Sequence, residues 1–245
     1  MKMANCIKNT NYRKRLAMLK DAKHTLAICI FVVLFVTLIS YMLYNSLCYM
    51  NSCEIYDVHG TSMYPTINAN LDIDDKGIVD SKISNPQIND IIMYTTVIDD
   101  KITNITKRLV ATGGDKLTMV DEQDEQGVHR YYLQKIASGT TVPFKVDENY
   151  VVDKTSLKRT FDKFQVLYTK ENIQVEVIEG QKYIVIPDGY IFFMGDNRAT
   201  SNDCSNFGPQ SMDGYRGRLV YLVREGKNLH WYQLLYTLGF LKPNI

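Results

Sequence analysis

The chain has 245 residues, 45% of them hydrophobic and 22% charged, a balance that excludes a largely disordered protein. Its 28 Lys+Arg and 27 Asp+Glu leave a net charge of +1, so no global positive field points to a nucleic-acid partner. That sum conceals two opposite parts: residues 1–25 carry +6, from seven basic residues and Asp21, and the remainder carries −5.

The first element explains the asymmetry. No charged residue occurs from Thr25 to Cys53, and the dense apolar run Leu26–Tyr44 is 19 residues long. A helix of about 20 apolar residues crosses a bilayer core of about 30 Å. A core helix of this length would need partners to bury it, whereas the rest of the chain reads as strands. A cleavable secretory signal is shorter and ends in a small-x-small site, which does not follow here. Asn45-Ser46-Leu47-Cys48 also lacks the small residue that precedes a lipoprotein cysteine. The expected organisation is a basic tail (1–24), a retained transmembrane anchor (25–48) and an outer domain (49–245). The positive-inside rule puts the tail in the cytoplasm and the domain outside the membrane.

The five cysteines do not form a disulfide framework. Cys6 falls in the tail and Cys29 in the anchor. Cys48 and Cys53 flank the membrane exit, where a loop of a few residues gains little from a bridge. Cys204 has no evident partner, so free thiols are expected. The histidines (24, 59, 129, 230) have no metal-ligand spacing, and neither a metal nor a cofactor is expected.

The outer part is dominated by short β-rich runs, and about 190 residues suffice to bury a core. Asp90–Val97, Ile102–Val110 and Arg218–Arg224 read as strands. Lys182–Ile186 and Tyr190–Met194 flank Pro187-Asp188-Gly189, a hairpin signal. Residues 116–181 are more polar and read as an insertion or cap. Asp121–Glu125 is a solvated turn there, with short strands at Tyr131–Leu133, Tyr150–Val152, Val166–Thr169 and Ile173–Ile178. Thr155–Phe164 reads as a short helix with Leu157, Phe161 and Phe164 on one face. Asn228–Phe240 holds the only Trp and no formal charge if His230 is neutral. Two readings stay open for it: an interfacial helix lying on lipid, or an element that closes the β core.

Three segments carry chemistry. Gly60-Thr61-Ser62-Met63-Tyr64-Pro65-Thr66 follows the anchor; Pro65 restricts its own backbone and that of Tyr64, and a Ser held in such a loop is presented as a nucleophile. Lys107-Arg108-Leu109-Val110-Ala111-Thr112-Gly113-Gly114-Asp115 places Lys107 on an extended run where alternation turns it inward. Desolvation disfavours a buried ammonium, and a neutral amine is a general base. Gly195-Asp196-Asn197-Arg198 through Ser201, Asp203 and Cys204 packs polar residues at a strand end. Taken singly, these segments also read as a polar turn, two surface cations and a polar loop.

Together, in the order anchor, Ser box, Asn89–Tyr94 strand, Lys box, insertion and GDNR box, they resemble the type I signal peptidases, membrane-anchored Ser–Lys proteases of the bacterial envelope. The resemblance runs from the anchor to about residue 225. The single anchor, and Gly60 two residues before Ser62, look like the Gram-positive form. The resemblance implies an antiparallel β-barrel-like catalytic domain with an inserted β-rich cap. It implies Ser62 as nucleophile, Lys107 as general base, Ser201 orienting the amine, and Asp203 and Arg198 bracing the site. The backbone N–H of Ser62 would serve an oxyanion hole. It implies exported preproteins with small residues at the first and third positions before the cut as substrates, with the export machinery and membrane lipid as further partners. Tyr56, Val58, Met63 and Ile67 are expected walls of the small pockets. Two positions depart from the family pattern. Cys204-Ser205 follows Asp203 where Ser-Arg is usual, so Arg198 is expected to pair with Asp203 instead. Gly113 stands where Pro is usual.

Other classes fit less well. A sortase-type transpeptidase needs Cys, His and Arg, and no T-x-T-C-like strand surrounds Cys204. Self-cleaving SOS repressors share the dyad but are soluble and carry a DNA-binding domain. A non-enzymatic domain that binds exported chains would not keep both Ser62 and Lys107. His59, near Ser62 in sequence, is expected to be incidental. A reporter active only outside the cytoplasm should be active when fused after residue 245 and silent when fused before residue 25; activity of the short fusion would reverse the orientation.

Overall fold

The computed structural model describes residues 2–50, 52–70, 74–98, 100–224 and 229–245. The side chains of Cys6 and Cys48, and residue Asn228, lie outside the described residues. The chain divides into two compact units, Met1–Tyr49 and Met50–Ile245. In the first, a single helix α1 runs Lys2–Met50 without a break between basic tail and apolar run. Its segment Ala22–Leu47 has a mean hydropathy of 2.8 and is long and apolar enough to cross a membrane.

The second unit is mainly β, as its many short β-branched and aromatic runs require. Its strands are β1 (Cys53–Val58), β2 (Asp75–Asp80), β3 (Ile91–Ile98), β4 (Lys101–Thr112), β5 (Lys116–Gln123), β6 (His129–Ile136), β7 (Phe144–Lys145), β8 (Val175–Ile178), β9 (Gln181–Val185), β10 (Tyr190–Met194), β11 (Gln210–Ser211) and β12 (Tyr215–Val223). Two antiparallel sheets result, with strand orders β1-β2-β12-β3-β4-β10-β11 and β7-β6-β5-β9-β8. The second sheet is drawn largely from the stretch read as an insertion. A 3₁₀ turn (Lys154–Ser156) leads into helix α2 (Leu157–Leu167), and short helix α3 (Cys204–Phe207) follows β10.

The expected hairpin at Pro187-Asp188-Gly189 is a corner between sheets. A turn does form, with Tyr190 N–H on Pro187 O at 3.0 Å, but β9 pairs in one sheet and β10 in the other. The reason is the neighbouring crossing from β4 to β5. Gly114 N–H donates to Ile186 O at 2.8 Å, and Ile186 N–H to Asp115 O at 2.9 Å, so the two connections run side by side. A Cβ at Gly113 would lie 3.0 Å from Asp188 Cα and 3.1 Å from Pro187 O, which accounts for glycine at this position. Two further expectations are corrected. Val166–Thr169 ends α2 and forms the turn after it, because Leu167 continues the buried helical stripe of Leu157, Thr160 and Phe164. Tyr150–Val152 is an irregular turn rather than a strand.

The main core lies between α2, α3 and the sheets, around Phe164, Phe192, Phe193, Leu109, Leu117 and Leu133. Phe192 meets Phe164 with centroids 5.8 Å apart, and Phe193 meets Tyr94 at 4.8 Å. A second cluster, including Met63, Ile67, Met93 and Leu219, sits beneath the Ser62 loop. Between Phe192 and Phe193 the register to β4 shifts by one residue, a bulge just before the strand delivers Gly195.

Helix α4 (Leu229–Thr237) resolves the C-terminal stretch into two faces. One face is docked: Tyr232 stacks on Tyr221 of β12, and Gln233 Nε2 donates to Cys53 O at 2.6 Å. The other is open, with Trp231 63% exposed, and Phe240 in the turn beyond the helix is 77% exposed. Trp231 fluorescence from a protein comprising residues 52–245 should therefore show the red-shifted emission of hydrated indole and strong acrylamide quenching in buffer; blue, unquenched emission would place Trp231 in the core.

Candidate active site

The Ser62 loop is held from both ends. Asn68 adopts φ 57°, a left-handed conformation that Asn tolerates. Its amide donates to Val58 O and Gly60 O, both at 2.8 Å. The buried side chains of Met63 and Ile67 plug the loop into the core below. From above, Asn197 N–H donates to Ser62 O at 3.0 Å and Asn197 Nδ2 to Thr61 O at 3.1 Å.

Lys107 enters from β4, opposite Ile92 of β3. It is 4% exposed. Its Nζ donates to Ser62 Oγ at 2.8 Å and to Thr106 O at 3.1 Å. Burial pushes its pKa below the usual lysine value, while the nearby Asp203, Cys204 and Asp196 partly oppose that shift. The elements therefore bring Ser62 and Lys107, 45 residues apart, into direct contact.

The loop after β10 forms the roof. Gly195 is in close contact: a Cβ there would lie 2.3 Å from Ser201 Oγ and 2.4 Å from Ser62 O. Ser201 is buried beside it, and among the described residues its Oγ has no hydrogen-bond partner, the amine included. Asp203 is also buried, and main-chain donors satisfy it. Gly195 N–H donates to Oδ2 at 2.8 Å, and Ser205 N–H and Oγ donate to Oδ1 at 3.0 and 2.7 Å. It thereby caps α3.

Arg198 does not pair with Asp203. Its Nε donates to Gly195 O at 3.0 Å and its Nη2 to Glu148 Oε1 at 2.5 Å. Gly195 and Ser205 donors already occupy Asp203, and the buried carboxylate of Glu148 takes the guanidinium. Sequence reasoning passed over Glu148, which lies in no motif. It also missed the fork that joins two motifs: Arg108 Nε and Nη2 donate to Asp196 Oδ1 and Oδ2 at 2.8 and 2.6 Å. Thr66 Oγ1 donates to Asp196 Oδ2 at 2.5 Å, tying in the Ser loop as well. Opposite charges beside Lys107 and Gly195 were the available signal.

A cleft of about 480 Å³ opens beside Ser62 and Lys107. Tyr56, Val58 and Met63 line it, together with Ile102–Thr106 of β4. Ile67 belongs to the core beneath, at 1% exposure, and does not line the cleft. Tyr56 OH donates to Asn104 O at 2.8 Å across the cleft. His59 lies at the rim and pairs with Asp74 at 2.5 Å. Among the described residues no His/Cys/Asp/Glu cluster has the arrangement of a metal site.

Comparison with known proteins bears on what this arrangement serves. The family model described as signal peptidase, peptidase S26, matches residues 23–223. No curated protein matches the chain. Among solved structures, a signal peptidase I from Enterococcus faecalis V583 is similar at 22% identity and a TM-score of 0.31, over 55% of this chain and 97% of that one. The family match extends from the apolar helix to the end of β12, and the chain belongs to the signal peptidases of peptidase family S26, hydrolases that remove signal peptides from preproteins.

Proposed function

We propose that this signal peptidase cleaves with Ser62 as nucleophile and neutral Lys107 as general base. The observation that carries the reading is the 2.8 Å contact between Lys107 Nζ and Ser62 Oγ with the amine buried. Once Nζ is neutral, the same contact runs in the other direction, and Oγ–H donates to the amine lone pair. The amine takes that proton as Oγ attacks the scissile carbonyl. The ammonium then protonates the departing amine, and a water activated by Lys107 hydrolyses the acyl-enzyme. The Ser62 N–H supplies an oxyanion donor, since the Asn197 bonds hold its peptide rigid. Ser201 orients the amine when substrate closes the site.

The cleft supports the substrate preference. The edge of β4 at Ile102–Thr106 has no strand partner on the cleft side among the described residues, because β10 pairs only from Arg108 onward. An extended peptide adds a strand to such an edge. Val58 and Met63 close the space beside it, which favours small residues at the first and third positions before the cut. The charge of residues 1–25 supports a cytoplasmic tail and an outer domain, where the export machinery would deliver preproteins. Exposed Trp231 on α4 and Phe240 just beyond it support contact with membrane lipid.

Ser62→Ala and Lys107→Ala should each reduce preprotein cleavage by about 10³-fold or more with an unchanged thermal melt. Lys107→Arg should be equally inactive, since Arg stays protonated. Ser201→Ala should lose on the order of tenfold. In the wild type, kcat/KM should rise with pH as Lys107 loses its proton, with the midpoint below the ordinary lysine pKa because burial lowers it. Wild-type cleavage by Lys107→Arg would remove the general-base role. Gly195→Ala should nearly abolish cleavage, because its Cβ must displace Ser201 or the Ser62 carbonyl.

A further inference from the structure

Glu148 sits in the irregular segment between β7 and the 3₁₀ turn, within the second-sheet part of the domain. It is 6% exposed, and its partner Arg198 is 2% exposed. The segment is itself fixed: Lys154 Nζ donates to Glu148 O at 2.6 Å, and Val151 N–H to the same oxygen at 3.1 Å. Two residues on, the Tyr150 ring lies 4.2 Å from the Arg108 guanidinium carbon. One turn thus meets both arginines of the site. Arg198 in turn holds the Gly195 carbonyl, and Gly195 packs on Ser201 Oγ and Ser62 O.

We propose that Glu148 is a positioning residue for the peptidase reaction: by pairing with Arg198 it keeps the Gly195 peptide against Ser62 and offsets the guanidinium charge near Lys107. This rests on the assignment of Lys107 as general base. The groups that face Lys107 are Asp196, Asp203 and Cys204 from the loop after β10, and Arg108 on its own strand is already forked to Asp196. Asp203 is faced by Arg198, by Lys107 and by Lys163 of α2, whose Nζ is bonded to Ser201 O at 3.0 Å. Arg198 is faced by Glu148, Tyr150 and Asp203, and by the like charge of Lys163 on α2. With Glu148 charged, the buried pair is close to neutral when seen from Lys107. Without that charge, Arg198 loses the carboxylate it is bonded to, and the charge near Lys107 becomes more positive. In place or swung to Asp203, it disfavours the Lys107 ammonium, which then loses its proton at lower pH.

The test is the pH profile of kcat/KM for preprotein cleavage by the full-length chain, compared among wild type, Glu148→Gln and Glu148→Gln/Arg198→Gln. In Glu148→Gln the acid limb should move down by about one pH unit, and kcat should fall on the order of tenfold with KM little changed. In the double variant no buried charge is left uncompensated. Its acid limb should return to the wild-type position while kcat stays low, because Gly195 O has lost its donor. An acid limb at the wild-type pH in Glu148→Gln, or a shift that persists in the double variant, overturns the proposal. If Glu148→Gln fails to give a cooperative melt, the double variant decides alone: lowered kcat with a wild-type acid limb supports the proposal, and wild-type kcat overturns it. Ser62→Ala and Lys107→Ala assayed alongside keep the two readings apart. Cleavage surviving in either removes the dyad, whereas its loss in both with an unmoved Glu148→Gln profile removes only the role of Glu148.

Discussion

The site depends on one lysine amine taken out of water. Lys107 is bonded to Ser62 Oγ and to the carbonyl of Thr106, and it is almost fully buried. Burial disfavours its charged form, and the carboxylates of Asp203 and Asp196 pull the other way. Burial is the larger influence, so the amine is shifted toward the neutral state that can accept a proton. A flexible four-carbon stem rarely stays in one place by itself. Here the strand register opposite Ile92 and the Thr106 carbonyl fix it.

Much of the surrounding structure can be read as what is needed to keep that amine dry and aligned. The Ser62 loop is plugged from below by Met63 and Ile67 and clasped from above by Asn197. The roof loop reaches it because β10 leaves the sheet just after a bulge, and because residue 195 carries no side chain. The paired crossings at Gly113–Asp115 and Ile186–Gly189 carry the chain into the second sheet and back. That return lets α2 cover the roof: Lys163 bonds Ser201 O, and Arg159 Nη1 donates to Ala199 O at 2.6 Å.

The two departures from the family pattern have physical accounts in this fold. Gly113 is accommodated by the close approach of the Pro187–Asp188 backbone. Asp203, without an arginine two residues on, takes three donors from Gly195 and Ser205. Those three bonds satisfy the buried carboxylate within its own loop. The charge pairing has moved elsewhere, to Arg108 with Asp196 and Arg198 with Glu148.

The sequence by itself determined the apolar span, the mainly β domain, the family, and the three segments that hold Ser62, Lys107 and Ser201. These are local signals: a run of uncharged residues, β-branched alternation, and short motifs whose order survives in one dimension. Only the tertiary structure decided which residues meet. A three-residue turn flanked by strand-like runs reads as a hairpin, yet β9 and β10 belong to different sheets, because pairing depends on the crossing beside them. The apolar Ile67 looked like a pocket wall and proved to be core, since hydrophobicity does not say which side of a loop a residue faces. Val166–Thr169 has β propensity but ends a helix, where packing of the Leu157–Phe164 stripe outweighs local preference. Glu148 is an ordinary acidic residue in a polar stretch. It reaches Arg198, 50 positions later, only because two sheets and a helix fold the intervening chain back on itself.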